Sequence, residues 1–220
     1  MSEVVKNYKK IIDEISRYNK KFSSTSKNPK LIAVSKTFSE TTIQEVINQG
    51  QLIFGENRVQ EAVQKWTNLK KKNKKIELHL IGPLQSNKVR EALNIFDVIQ
   101  TIDREKVVKK IKESLEETSK KQFFVQVNIG GESQKSGVLI SELNDFLDWC
   151  CNDINLKVDG LMCIPPLEKE PSYYFNLLRN LCDKHKLFHA SMGMSGDFTK
   201  AIQFGATYLR VGSRIFGRRS

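Results

Sequence analysis

Short runs rich in β-formers alternate along this chain with stretches of helical spacing, and that alternation restricts the fold more than any other feature. Eight runs read as strands: Leu31–Lys36, Leu52–Asn57, Ile76–Gly82, Val98–Ile102, Phe123–Ile129, Val158–Ile164, Leu187–Met194 and Tyr208–Ser213. Strands joined through helices pair in parallel by right-handed crossovers. Eight such units in 220 residues come close to the lower size limit of a (β/α)8 barrel. An open doubly wound sheet is the fallback, disfavoured because no G-x-G-x-x-G follows the first strand. Ahead of that strand, Val4, Tyr8, Ile11, Ile15, Tyr18 and Phe22 recur at three- and four-residue steps, which predicts an extra amphipathic helix. Between the first two strands, Thr42 and Glu45 form a capping-box pattern and Gly50 marks a helix stop. No linker, low-complexity tract or repeat interrupts residues 1–220, which read as one domain.

Barrels of this kind carry their sites at the C-terminal ends of the strands, often with a phosphate held by the loops after strands seven and eight. The loop after the seventh run reads Met192-Gly193-Met194-Ser195-Gly196-Asp197 and opens a helix; the one at the end of the eighth reads Arg210-Val211-Gly212-Ser213-Arg214. Glycine permits close backbone approach, serine adds a hydroxyl, and helix-opening amides suit an anion. Two such turns at the two expected loops outweigh the reading of each as an ordinary turn. Alternation along the first run places Lys36 on the face of Ile32 and Val34, so it points into the mouth if that face is interior. A lysine among apolar groups has a lowered pKa and becomes a nucleophilic amine, as a Schiff base requires; the alternative is a strand end that snorkels to solvent. Arg210 shares a face with Tyr208 and Gly212, and an arginine inside a strand demands an anion or acceptor. Asn57, His79, Gln126 and Asn128 add polar groups along the strands that converge on a polar pocket, with a satisfied core position as the alternative for His79.

The 36 Lys and Arg against 25 Asp and Glu give a formal net charge of +11, which suits an anionic partner. Much of the excess lies in the run Lys70, Lys71, Lys72, Lys74 and Lys75, read as a solvated face. No nucleic-acid motif accompanies the charge, so no nucleic-acid partner is expected. The chain has no apolar run near the roughly 18 residues of a membrane span, and its polar opening is unlike a signal peptide. Cys150, Cys151, Cys163 and Cys182 form no C-x-x-C pair and no zinc spacing. A reduced, cytoplasmic protein with neither membrane nor metal is expected.

A set of motifs running from the first strand to the last run resembles the pyridoxal-phosphate homeostasis proteins, the YggS/PROSC family, which share their fold with the N-terminal barrel of alanine racemase. They are AVSKT (33–37), FGENRVQE (54–61), HLIGPLQSNK (79–88), TIDR (101–104), KSGV (135–138), GLMCIPP (160–166), SMGMSGDF (191–198) and RVGSRIFG (210–217). The resemblance implies a single TIM barrel of the alanine racemase N-terminal type. It implies pyridoxal 5'-phosphate (PLP) held as a Schiff base on Lys36, its phosphate on Ser195, Gly212 and Ser213, and Arg210 facing the pyridine nitrogen. Asn57, His79 and Met194 are implied pocket walls. Arg58 and Cys163 depart from residues common in relatives and affect only the pocket rim.

A guanidinium has only donors, so at the ring nitrogen it favours an unprotonated pyridine and weakens the ring as an electron sink. In alanine racemase the opposing base is associated with an added β domain and the dimer partner; this chain, with no such segment, resembles a cofactor holder. The expected role is PLP homeostasis in vitamin B6 metabolism, by a monomer that supplies cofactor to apo PLP-dependent enzymes. A small PLP-dependent amino-acid racemase or lyase is the alternative.

Overall fold

The computed structural model describes residues 1–22, 28–116 and 118–217. Its strands are β1 (Lys30–Val34), β2 (Ile53–Glu56), β3 (Glu77–Leu80), β4 (Val98–Ile102), β5 (Gln122–Asn128), β6 (Val138–Leu139), β7 (Gly160–Cys163), β8 (His189–Met194) and β9 (Tyr208–Val211). All pair in parallel in the order β4-β3-β2-β1-β9-β8-β7-β5, and β4 pairs with β5 to close the ring, while β6 adds to β5 alongside β7. The eight expected strands are the eight of the barrel. The two-residue β6, too short to leave a pattern, was not anticipated.

Helices α1 (Glu3–Lys21), α2 (Glu40–Ile47), α3 (Val59–Lys72), α4 (Val89–Ile95), α5 (Glu105–Ser114), α6 (Leu143–Asp148), α7 (Pro171–Lys184), α8 (Phe198–Gln203) and α9 (Ser213–Phe216) surround the ring. The expected extra helix is α1. Ser2 Oγ accepts the Val5 amide at its start, Glu3 sits in the first turn, and Lys20 and Lys21 in the last, each matching the helix dipole. Val5, Tyr8, Ile11 and Ile15 are buried, and the helix lies against α2, α8 and α9. The cap of α2 departs from expectation. Ser39, not Thr42, is the N-cap: its Oγ accepts the Thr42 amide at 3.3 Å, so the helix starts earlier than the capping-box pattern placed it.

Period-two alternation divides each strand between two cores. Leu31, Ala33, Leu78, Leu80, Leu209 and Val211 face the helices, whereas Ile32, Val34, Val98, Phe124 and Tyr208 fill the barrel interior. Several strands are shorter than their apolar runs. β1 ends at Val34 and β2 at Glu56, which leaves Lys36 and Asn57 in the turns just beyond, at the C-terminal mouth. Among the described residues, no helix is long and apolar enough to cross a membrane.

Candidate functional site

A cavity of about 390 Å³ opens at that mouth, a volume suited to a small molecule. Lys36, Asn57, Met194, Ser195, Arg210, Gly212 and Ser213, all anticipated as site residues, line it. Val34, Phe38, Ile81, Ile164, Gly196 and Gly217 complete the wall. Apolar walls with a few convergent polar groups are the usual composition of a ligand site.

Lys36 sits on a turn held from behind. The next residue, Thr37, has φ +71°, a left-handed conformation unfavourable for a β-branched side chain, and its amide donates to Glu61 Oε1. Lys65 Nζ donates to the Ser35 carbonyl at 2.9 Å and pairs with Glu61 at 2.8 Å and Glu56 at 2.9 Å. The Glu56 side chain is fully buried and also accepts from Ser35 Oγ (2.7 Å) and Trp66 Nε1 (3.0 Å). Burial pushes the Glu56 carboxyl pKa up despite these donors; for Glu61, burial is outweighed by Lys65 and the Thr37 amide, and its pKa falls. The residues flanking Lys36 are therefore fixed by three side chains from β2 and α3. Sequence reading included Glu56 and Glu61 in a motif but did not see this role, because Glu61 and Lys65 have the spacing of any surface ion pair on a helix.

The turns after β8 and β9 meet across the cavity, where the Gly212 amide donates to Ser195 Oγ at 3.3 Å. At the base of the first turn, Gly193 has φ +85°, and a Cβ there would lie 2.5 Å from Ala201 Cβ, so only glycine permits the bend. Gly82 serves Asn57 in a different way: a Cβ on it would lie 2.2 Å from the Asn57 carbonyl oxygen.

Arg210 is 4% exposed and forms part of the cavity floor. Its Nη1 donates to Ser191 Oγ at 2.7 Å and its Nη2 to the Cys163 carbonyl at 2.8 Å. Burial pulls its pKa below the ordinary arginine value. The acceptor demanded by an arginine inside a strand is thus met by β7 and β8.

Three expectations change. His79 does not line the cavity; alternation along β3 turns it into the barrel interior, where its ring packs 5.1 Å from that of Tyr208 and bonds to Gln100 and Glu77. Gln126 donates to the Ser136 carbonyl at 3.0 Å, and Asn128 to the Glu132 carbonyl at 2.8 Å. Both support the segment between β5 and β6, and neither lines the cavity, because the local chain supplies acceptors closer than the mouth.

The family profile described as "Alanine racemase, N-terminal domain" matches residues 9–220. The pyridoxal phosphate homeostasis protein of Vibrio alginolyticus is 36% identical over 230 residues, covering 100% of this chain and 99% of its own length. This chain belongs to the pyridoxal phosphate homeostasis protein family. Among solved structures, PipY of Synechococcus elongatus PCC7942 without PLP aligns with a TM-score of 0.81 at 32% identity, covering 92% of this chain and 100% of PipY. PipY with PLP bound aligns at 0.77 and 31% identity, covering 93% and 100%. The alanine racemase-type barrel with an N-terminal helix, expected of a homeostasis protein, is the fold observed.

Proposed function

We propose that this chain, acting as one domain over residues 1–220, binds pyridoxal 5'-phosphate at the mouth of the barrel and serves cytoplasmic vitamin B6 homeostasis without turning over amino acids. The observation that carries this reading is one cavity bringing together a primary amine, a buried guanidinium and two serine-bearing turns: Lys36, Arg210, and the Ser195 and Gly212-Ser213 turns. A relative with PLP bound shares the barrel at 31% identity.

The donor set fits the cofactor. A Cβ at Gly212 would crowd β1, 3.1 Å from the Val34 carbonyl oxygen, so the turn is tight against the first strand. Ser195 and Ser213 add hydroxyl donors, and Asn57 and Met194 wall the pocket. When bound, PLP supplies an aldehyde and an electron-withdrawing ring. Lys36 is the residue that would hold the aldehyde carbon, through a primary amine at the mouth of the cavity. Arg210, which has only donors, would face the ring nitrogen and favour its unprotonated form, with weaker electron withdrawal by the ring. Ile164 and Met194 on the rim are each 36% exposed, an open mouth that favours exchange of cofactor over exclusion of water. The chain acts as a monomer whose acceptors are apo PLP-dependent enzymes. A reducing compartment accords with the four free cysteines.

The test is visible absorbance on adding PLP, borohydride reduction, and peptide mapping. The expected adduct is on Lys36, with cofactor passing to an apo-enzyme and the α-hydrogen of added amino acids largely unexchanged in deuterated water. A pyridoxyl group found only on another lysine would overturn the site. Rapid α-deuterium uptake that disappears in Lys36→Ala would replace the carrier by a racemase or lyase.

A further inference from the structure

Beneath the cavity floor a file of polar side chains runs through the barrel interior. Arg210 Nη1 donates to Ser191 Oγ (2.7 Å), which donates to Gln100 Oε1 (2.6 Å); Gln100 Nε2 faces His79 Nδ1 (2.8 Å), and His79 Nε2 faces Glu77 Oε1 (2.7 Å). Ser191, Gln100 and His79 are fully buried, while the Glu77 side chain, at the start of β3 and so at the far end of the barrel, is 34% exposed.

The direction of every bond follows from its first member. Arginine has no acceptor, so Ser191 receives from it and has its own proton to pass on; Gln100 takes that proton on its carbonyl oxygen and presents its amide nitrogen to His79. His79 Nδ1 must accept, its proton lies on Nε2, and that proton is donated to the Glu77 carboxylate. A cation heads the file, an anion ends it, and all four bonds point the same way, an arrangement in which each bond polarises the next. We propose that His79 and Gln100 are positioning residues which, acting through Ser191, hold the Arg210 guanidinium in the orientation that meets the ring nitrogen of the bound cofactor, with Glu77 fixing the direction of the file. This rests on the cavity being a PLP site.

The experiment compares His79→Leu, which removes the acceptor at Nδ1, with His79→Asn, whose amide oxygen can accept the Gln100 proton. Two probes are titrated against the full chain: PLP, and its carbocyclic analogue with CH in place of the ring nitrogen. His79→Leu is expected to bind PLP about tenfold more weakly, the size of one lost charge-assisted bond, and to shift the absorption maximum of the bound cofactor. His79→Asn should stay within about threefold of wild type. For the analogue, wild type and His79→Leu should bind alike, since the ring atom Arg210 addresses is gone. Nitrogen-15 spectra of histidine in the ligand-free chain should show His79 bare at Nδ1 and protonated at Nε2. Equal weakening for both probes means His79 acts on the fold and not through Arg210, and overturns the proposal; so does unchanged PLP binding in His79→Leu, or a proton on Nδ1. Absence of PLP binding by the wild type removes the underlying assignment as well, whereas the spectra judge the file by itself.

Discussion

The Gly212 amide and Ser195 Oγ lie 3.3 Å apart, joining the turn after β9 to the turn after β8 at one edge of the cavity. In this bond Ser195 Oγ is the acceptor, so its own proton can be offered to the phosphate of the proposed PLP site, and substitution can remove that hydroxyl. Ser195→Ala should lower PLP affinity by about 1.5–3 kcal/mol, the range for a hydrogen bond to a charged group. Pyridoxal, lacking the phosphate, should bind weakly to both proteins and hardly discriminate between them. Parallel titrations with the two vitamers check this, and an equal loss for pyridoxal would place Ser195 away from the phosphate.

Lys65 neutralises a carboxylate that has no access to water. Lys65→Met removes the cation that opposes the burial of Glu56, so the carboxyl is left uncompensated or takes up a proton, and stability should drop by up to about 3–5 kcal/mol. Adding Glu56→Gln should recover much of the loss, because a neutral amide still accepts from Ser35 and Trp66. Urea unfolding of the two single variants and the double variant measures the coupling.

Burial lowers the His79 pKa below its ordinary value, against the opposing pull of Glu77. The unfolded chain therefore takes up a proton near pH 6.5 that the folded chain refuses. Stability from this group is fully present above about pH 6.5 and declines as the pH falls below it. Between about pH 5 and 6.5, His79→Asn should have a shallower dependence of stability on pH than wild type, by at most one proton. Equal slopes would show that His79 titrates normally in the fold.

Cys150, Cys163 and Cys182 are buried, and burial pushes each thiol pKa up to about 12, whereas Cys151 is exposed. Only the thiolate is nucleophilic, so alkylation of the native protein at neutral pH should modify Cys151 alone, and unfolding should release the other three. Mass spectrometry of the intact and digested protein reads the count and position.

The barrel and most of its mouth were legible because their signals are local. Alternation in Leu31–Val34 and Tyr208–Val211 fixes which face is interior, and glycine with serine at the ends of two strands marks the turns. The positions that escaped depend on pairings between distant segments. Gln100 meets His79 across 21 residues and Ser191 across 91, and nothing in the local pattern of any of them discloses the partner. His79, a pocket wall by the resemblance and a satisfied core position as the alternative from the residues, takes the second place, bonded in the barrel interior to Gln100 and Glu77.

Within the ring, β1 is paired with β9, in a register that sets Ile32 beside Arg210. Lys36 follows β1, whereas Arg210 lies in β9 and Gly212 and Ser213 follow it, so the cavity straddles the seam where the first-made and last-made strands of the ring join. A chain still emerging from the ribosome has Lys36 without Arg210, Gly212 and Ser213, the residues that join it in lining the cavity. The β1–β9 pairing is a long-range contact whose loop-closure cost comes before its reward, and a ligand that recognises only the closed seam draws the population toward it by mass action. Cofactor added during refolding should act after the strands have formed, slowing the reopening of the β1–β9 seam while leaving the early rate untouched.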